Sequence, residues 1–262
     1  MMRRSITLAG PPLLLLIVLL GLWQLFTIVS GIPNYLLPGP LQIIGVGVGK
    51  RLDLWISIQT TFVPTIIGYV LSIVLGCGVA FVMSLSKAIE RSIYPYAIVL
   101  QTIPIVAIAP LIVIWFGAGT LAIIIITLII AVFPMISNTV LGLTSTDHNL
   151  LDLMRLYNAT PLQTMTKLRI PSALPYIMGG MKISAGLSVI GAIVGEFIAG
   201  IGGGQGGLGY AITSAALHLQ IPYLFANALA SSLLGICIFM AVSLLARLAL
   251  GQWHESSTRR EG

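Results

Sequence analysis

The chain has 262 residues, 57% of them hydrophobic and only 8% charged, with a mean hydropathy of +1.05. A water-soluble domain cannot bury so much apolar surface, so the solvent for most of the chain is lipid. The formal charge of +6 would suggest nucleic acid in a soluble protein; here the bases mark loops beside a membrane.

After MMRRSITLAG an apolar run extends from Pro11 to Ser30. It is long enough to span and no A-x-A cleavage pattern follows it, so an uncleaved first span is expected at 11–30 rather than a signal peptide. NYLLPGPLQIIGVGVGKRL reads as an external connector with a short helix after Pro40. Further spans are expected at about 60–85, 94–116, 119–142, 177–200 and 224–248, because roughly 20 apolar residues cross the hydrocarbon. The sequence GAGT makes a tight turn between the third and fourth. Helices, unlike open sheets, satisfy their own backbone in lipid, so the expected fold class is an all-α membrane protein with six transmembrane helices in a single domain, 1–262. Pro64, Pro104, Pro110 and Pro134 fall within spans, where each bends its helix; bent helices can frame a path that opens and closes.

With the N-terminus inside, the inner segments hold eleven of the 13 Lys and Arg residues and the outer segments only Lys50 and Arg51. This bias places both termini, and the polar segment after the fourth span, in the cytoplasm. Cys77, Cys237, His148, His218 and His254 lie apart from one another and show no disulfide framework or metal-ligand spacing.

The polar segment 147–175 is punctuated like structure rather than like a floppy connector. Asp147 is placed to cap a helix in which Leu150, Leu153, Met154 and Tyr157 form one apolar face. Asp152 and Arg155 stand three apart, off that face, close enough to pair. Asn158 suits a left-handed C-terminal position. Thr160-Pro161-Leu162-Gln163 is a capping box with proline at the first helical position. Lys167 and Arg169 are expected near the C-terminal end of that second helix, with Pro171 and Pro175 stopping it and turning the chain toward the fifth span. Two short capped helices joined by a sharp corner fit a protein-docking element.

These residues resemble the EAA loop of permease subunits of bacterial ATP-binding-cassette (ABC) importers, with Asp152-Leu153-Met154, then Asn158, then IPSALP at 170–175. LPGP at 37–40, LQTIPIVAIAPLIVIWFG at 100–117, GAIVGEF at 191–197 and GGLGY at 206–210 are similar to the nitrate/sulfonate/taurine-type branch. Two positions depart from the family pattern: its Glu is Asp152 and its Gly is Asn158. Both keep the physics, an acid and a residue that tolerates positive φ. The resemblance implies a type I ABC importer permease fold with cytoplasmic coupling helices, in the bacterial inner membrane. It implies a cytoplasmic ATP-binding subunit in two copies, a second permease copy forming a homodimer, and an external solute-binding protein. The ATPase-docking residues implied are Asp152, Arg155, Asn158, Ala159, Thr160, Pro161, Gln163 and Lys167. ATP and Mg would bind the partner, since this chain has no phosphate-loop motif: GIGGGQGGLG carries no Lys. The substrates implied are nitrate, sulfonates, taurine, or a vitamin precursor such as a thiamine pyrimidine or riboflavin.

Glu196 is the one acid inside an expected span, either satisfied by the glycine run that follows or part of a path or gate. That run, GIGGGQGGLGYAI, is either a flexible connector or, from the resemblance, a turn and short helix at the outer mouth where the binding protein docks. Gln101 and Thr102 before Pro104, Asn138 in the fourth span, and Ser184 and Ser188 in the fifth are the candidates for a polar path lining; the alternative is that they hold helices together. An intramembrane enzyme would need a Ser–His, paired-acid or metal arrangement that these spans lack. A stand-alone ion-coupled transporter or channel remains the alternative to an importer subunit.

Overall fold

The computed structural model describes residues 2–200 and 206–254, the side chains of 2–9, 13 and 251–254 excepted. Part of the glycine run, 201–205, and the basic pair Arg259 and Arg260 lie outside the described residues. Every regular element among the described residues is helical: α1 Met2–Val29, α2 Pro40–Gly49, α3 Arg51–Ser84, α4 Lys87–Thr102, α5 Ile105–Phe116, α6 Thr120–Thr144, α7 His148–Leu156, α8 Pro161–Thr164, a π-helical turn Met165–Arg169, α9 Ile170–Ala199, α10 Leu208–Leu217 and α11 Ile221–His254. Among the described residues five stretches are long and apolar enough to cross a membrane, and six when α4 and α5 count as one bent span. The short helix expected after Pro40 is α2.

Three expectations change. The third span is not one rod, because α4 and α5 meet at 95° across Ile103 and Pro104. Pro171 and Pro175 do not end a helix: the chain is helical from Pro161 to Ala199, 39 residues. The π turn ends at Arg169, with Ile170 between it and Pro171, and its wider winding accommodates a ring that an unbroken α-helix would clash with. Lys167 and Arg169 therefore lie inside a continuous helix, early in it, and not at a C-terminal end.

α6 lies at the centre, packed between α3 and α9. Small residues let the backbones close up. A Cβ on Gly191 would come within 2.8 Å of Thr127 Cα, and one on Gly76 within 2.5 Å of Met135 Cβ. The fully buried side chains on these helices include Ile126, Met135 and Leu143, with Thr65, Thr127 and Thr139 among them. Thr65 Oγ1 donates to Thr61 O at 2.7 Å and Thr127 Oγ1 to Ile123 O at 2.8 Å within their own helices, while the Thr139 hydroxyl lies 3.7 Å from Cys77 Sγ on α3. The turn GAGT is made possible by Gly117 at φ 83° and Gly119 at φ 151°. The outer flanks carry exposed leucines and isoleucines throughout, as lipid-facing helices do. α1 is the extreme case, with none of its apolar window buried. It is tied on through Gln24 Oε1, which accepts from Leu41 N at 3.1 Å, and through Trp23, 5.9 Å from Phe225 between ring centroids.

Candidate functional site

The polar corner is built from caps. Asp147 accepts from Asn149 N at 2.9 Å and starts α7. At the other end Ala159 N donates to Met154 O and Asn158 N to Arg155 O, both at 2.9 Å, with Asn158 at φ 50°. This is the Schellman closure, with asparagine in the place glycine usually takes. Two residues on, Thr160 N donates to Gln163 Oε1 at 2.8 Å and Gln163 N to Thr160 Oγ1 at 3.2 Å, with Pro161 first in the helix. Between one capped end and the next capped start, the chain has little freedom to swing.

Arg155 and Asp152 pair at 2.9 Å with both side chains exposed, 80% and 64%. An exposed pair adds little stability; its interest is a fixed charge pattern on an open surface. The apolar face expected at Leu150, Leu153, Met154 and Tyr157 is turned mostly outward, and Tyr157 is 79% exposed. Of that face only Met154 is half-buried, together with Leu151, which lies outside it. Exposed Leu153, Leu156, Tyr157 and Leu162 thus form an apolar surface around the ion pair. Beside it lies a cavity of about 510 Å³ walled by Leu85, Leu151, Arg155, Pro161, Met165 and Arg169. Lys167 is exposed nearby.

At the opposite end of α9, Glu196 is 2% exposed. Gly209 N donates to its Oε2 at 2.7 Å. The Thr61 hydroxyl lies 3.1 Å from the same oxygen and accepts from Leu208 N at 2.8 Å. Two distant side chains thereby cap the first turn of α10, binding α3, α9 and α10 together. The expectation that the glycine run would satisfy Glu196 is met at Gly209. Thr61, its other partner, was missed: nothing in an apolar stretch pairs residues 135 apart. Glu196 Oε1 has no partner among the described residues. A Cβ on Gly207 would overlap this carboxyl group, and one on Gly209 would come within 2.6 Å of Ile193 O.

The remaining polar candidates separate. Gln101 lines a cavity of about 290 Å³ at the break between α4 and α5. Thr102 Oγ1 donates to Val99 O at 2.9 Å. Asn138 Nδ2 donates to Pro134 O at 2.9 Å. Ser184 and Ser188 are fully buried; the first donates to Ala131 O on α6 at 2.7 Å, the second to Ala185 O on its own helix at 2.8 Å. The structure does not gather these side chains around one space. No group of His, Cys, Asp and Glu able to hold a metal occurs among the described residues.

Residues 68–252 match the family described as binding-protein-dependent transport system inner membrane component, the permeases of ABC importers, and this chain belongs to it. It is 36% identical to the formylaminopyrimidine transport permease protein ThiX of Halalkalibacterium halodurans, over 95% of this chain and 98% of that one. It is 30% identical to the riboflavin transport system permease protein RibX of Chloroflexus aurantiacus, over 92% and 89%. Its fold matches a chain of the MetNI methionine ABC transporter in inward-facing conformations, with a TM-score of 0.62 and 20% identity, covering 74% of this chain and 95% of that one. The fold is therefore of the type I importer kind that the motifs implied.

Proposed function

We propose that this chain is the transmembrane subunit of an ATP-driven, binding-protein-dependent importer of a small solute. A cytoplasmic ATPase subunit docks on the corner formed by α7 and α8, through Asp152, Arg155, Asn158, Ala159, Thr160, Pro161, Gln163 and Lys167. The observation that carries this is the continuity of the corner with the fifth span: the capped start at Thr160 is the leading end of the helical rod that reaches Glu196. A force applied at the corner would be delivered along the rod as rigid-body motion, which is how alternating access is driven. The exposed apolar residues around the Asp152–Arg155 pair support a protein partner there.

Two permease copies would pair as a homodimer around one path, with two ATPase subunits inside and a solute-binding protein outside. ATP and Mg belong to the ATPase, and both termini of this chain face the cytoplasm. Gln101 and Thr102 line the path at the broken span; Asn138, Ser184, Ser188 and Glu196 act on the gate from between the helices. The solute is a vitamin precursor, such as a pyrimidine or flavin, or a small anion of the nitrate, sulfonate or taurine kind. No specific observation favours a stand-alone ion-coupled transporter, since the spans place a single acid near one edge.

The test is Asp152→Arg, which sets like charges side by side at the corner. The expected outcome is loss of the co-purifying ATPase and of uptake, with membrane insertion unchanged. Normal assembly and uptake in this variant would remove the docking claim.

A further inference from the structure

Two prolines leave a backbone carbonyl without the N–H four residues on, Pro134 within α6 and Pro104 at the break between α4 and α5, and both carbonyls belong to residues that line one cavity. Pro104 has no N–H for Leu100 O, and Pro134 none for Ile130 O. Leu100 and Ile130 both line the cavity of about 290 Å³ at the 95° break. Thr102, Asn138 and Ser184 spend their side-chain donors on other carbonyls, those of Val99, Pro134 and Ala131. In a membrane a freed carbonyl has no bulk water to turn to, so a passing solute that donates a hydrogen bond is a natural partner.

The rest of the lining defines what that solute is. Among the described residues Gln101 is the one polar side chain in it, and no ionised group lines it. Ile129, Phe133 and Leu187 supply apolar walls. An anion entering here would shed water for carbonyl oxygens, which repel it, and for one carboxamide; such an uncompensated charge is expensive to bury. A flat neutral ring with N–H groups would instead lay its faces on Phe133 and the isoleucines and direct its donors at the carbonyls.

We propose that the path at the broken span selects a neutral, planar, nitrogen-rich solute bearing at least two N–H donors, of the amino-heterocycle class, and that Gln101 is a specificity-determining residue for it. This rests on the importer reading given above and chooses among its solute classes. The carboxamide offers both a donor and an acceptor, so it reads a ring nitrogen and an adjacent amino group together.

The experiment uses the intact importer, permease with its ATPase and binding protein, in proteoliposomes. The probes are radiolabelled 4-amino-5-hydroxymethyl-2-methylpyrimidine and, separately, nitrate. Wild type is expected to take up the pyrimidine and not nitrate. Gln101→Leu should lower the maximal rate of pyrimidine uptake by about tenfold or more, while ATP hydrolysis stimulated by the loaded binding protein persists and the binding protein's own affinity is unmoved. Gln101→Asn should restore part of the rate. Gln101→Lys, run in parallel, should shift the ratio of uptake toward nitrate. Wild-type uptake of nitrate at a rate matching the pyrimidine, uptake of neither probe, a Leu variant at full rate, or an unshifted ratio in the Lys variant would each overturn the proposal. Absence of ATPase from the purified complex would instead overturn the importer reading, and the same preparation reports it.

Discussion

Gly207 and Gly78 are both glycines of a membrane protein, and they should answer an added methyl group in opposite ways. A Cβ at Gly207 would run into the Glu196 carboxyl group, whereas one at Gly78 meets nothing within 4 Å. Gly207→Ala is expected to destabilise by about 1–3 kcal/mol through overpacking. Gly78→Ala is expected to be neutral or to stabilise by up to about 1 kcal/mol through helix propensity. Thermal unfolding in detergent, followed by tryptophan fluorescence, would separate the two, and equal melting temperatures would refute the packing argument. At this scale the sequence was legible wherever a contact is local. Asp147 to Asn149, Thr160 to Gln163 and Asp152 to Arg155 span two or three residues, so composition alone places both partners. Thr61 and Leu208 are 147 apart, and no periodicity carries information over that distance.

A helix and its punctuation are a different matter, because the same proline can stop a helix or ride within it. Reading Pro171 and Pro175 as terminators followed the usual bias of residues before proline. The π turn Met165–Arg169 relieves the ring by widening one turn, and whether a chain takes that route is decided by packing of α9 on α6, which residues 165–175 do not encode alone. The break at Pro104 has the same origin: the proline announced a bend, but the 95° comes from how α4 and α5 each pack. Softening the rod tests its role. Thr164→Gly combined with Thr166→Gly costs about 0.5 kcal/mol or less per site in helix propensity, so folding should survive. The expected result is an ATPase that stays bound while solute moved per ATP hydrolysed falls; an unchanged ratio would show that stiffness here is idle.

For the molecule as a whole, the share of apolar residues sets how much must face lipid, which follows from bulk physics rather than from particular contacts. That is why five long spans, and a sixth that is bent at Pro104, could be read without any tertiary information, whereas the near-complete exposure of α1 could not. Orientation has a direct test. With Cys77 and Cys237 replaced by serine, a single cysteine at Leu156 should react with a membrane-impermeant maleimide only from the cytoplasmic side, and one at Asn34 only from outside. The reverse pattern would invert the proposed topology.

Because the corner and the fifth span share one helical rod, its residue count is also an angular setting. One amino acid added or removed between Arg169 and Glu196 would turn the two ends relative to each other by about 100° and shift them by about 1.5 Å. Single-residue indels in this interval should therefore be far more damaging than most point changes at the same sites, while a seven-residue insertion, close to two full turns, would restore the angle and spoil only the reach.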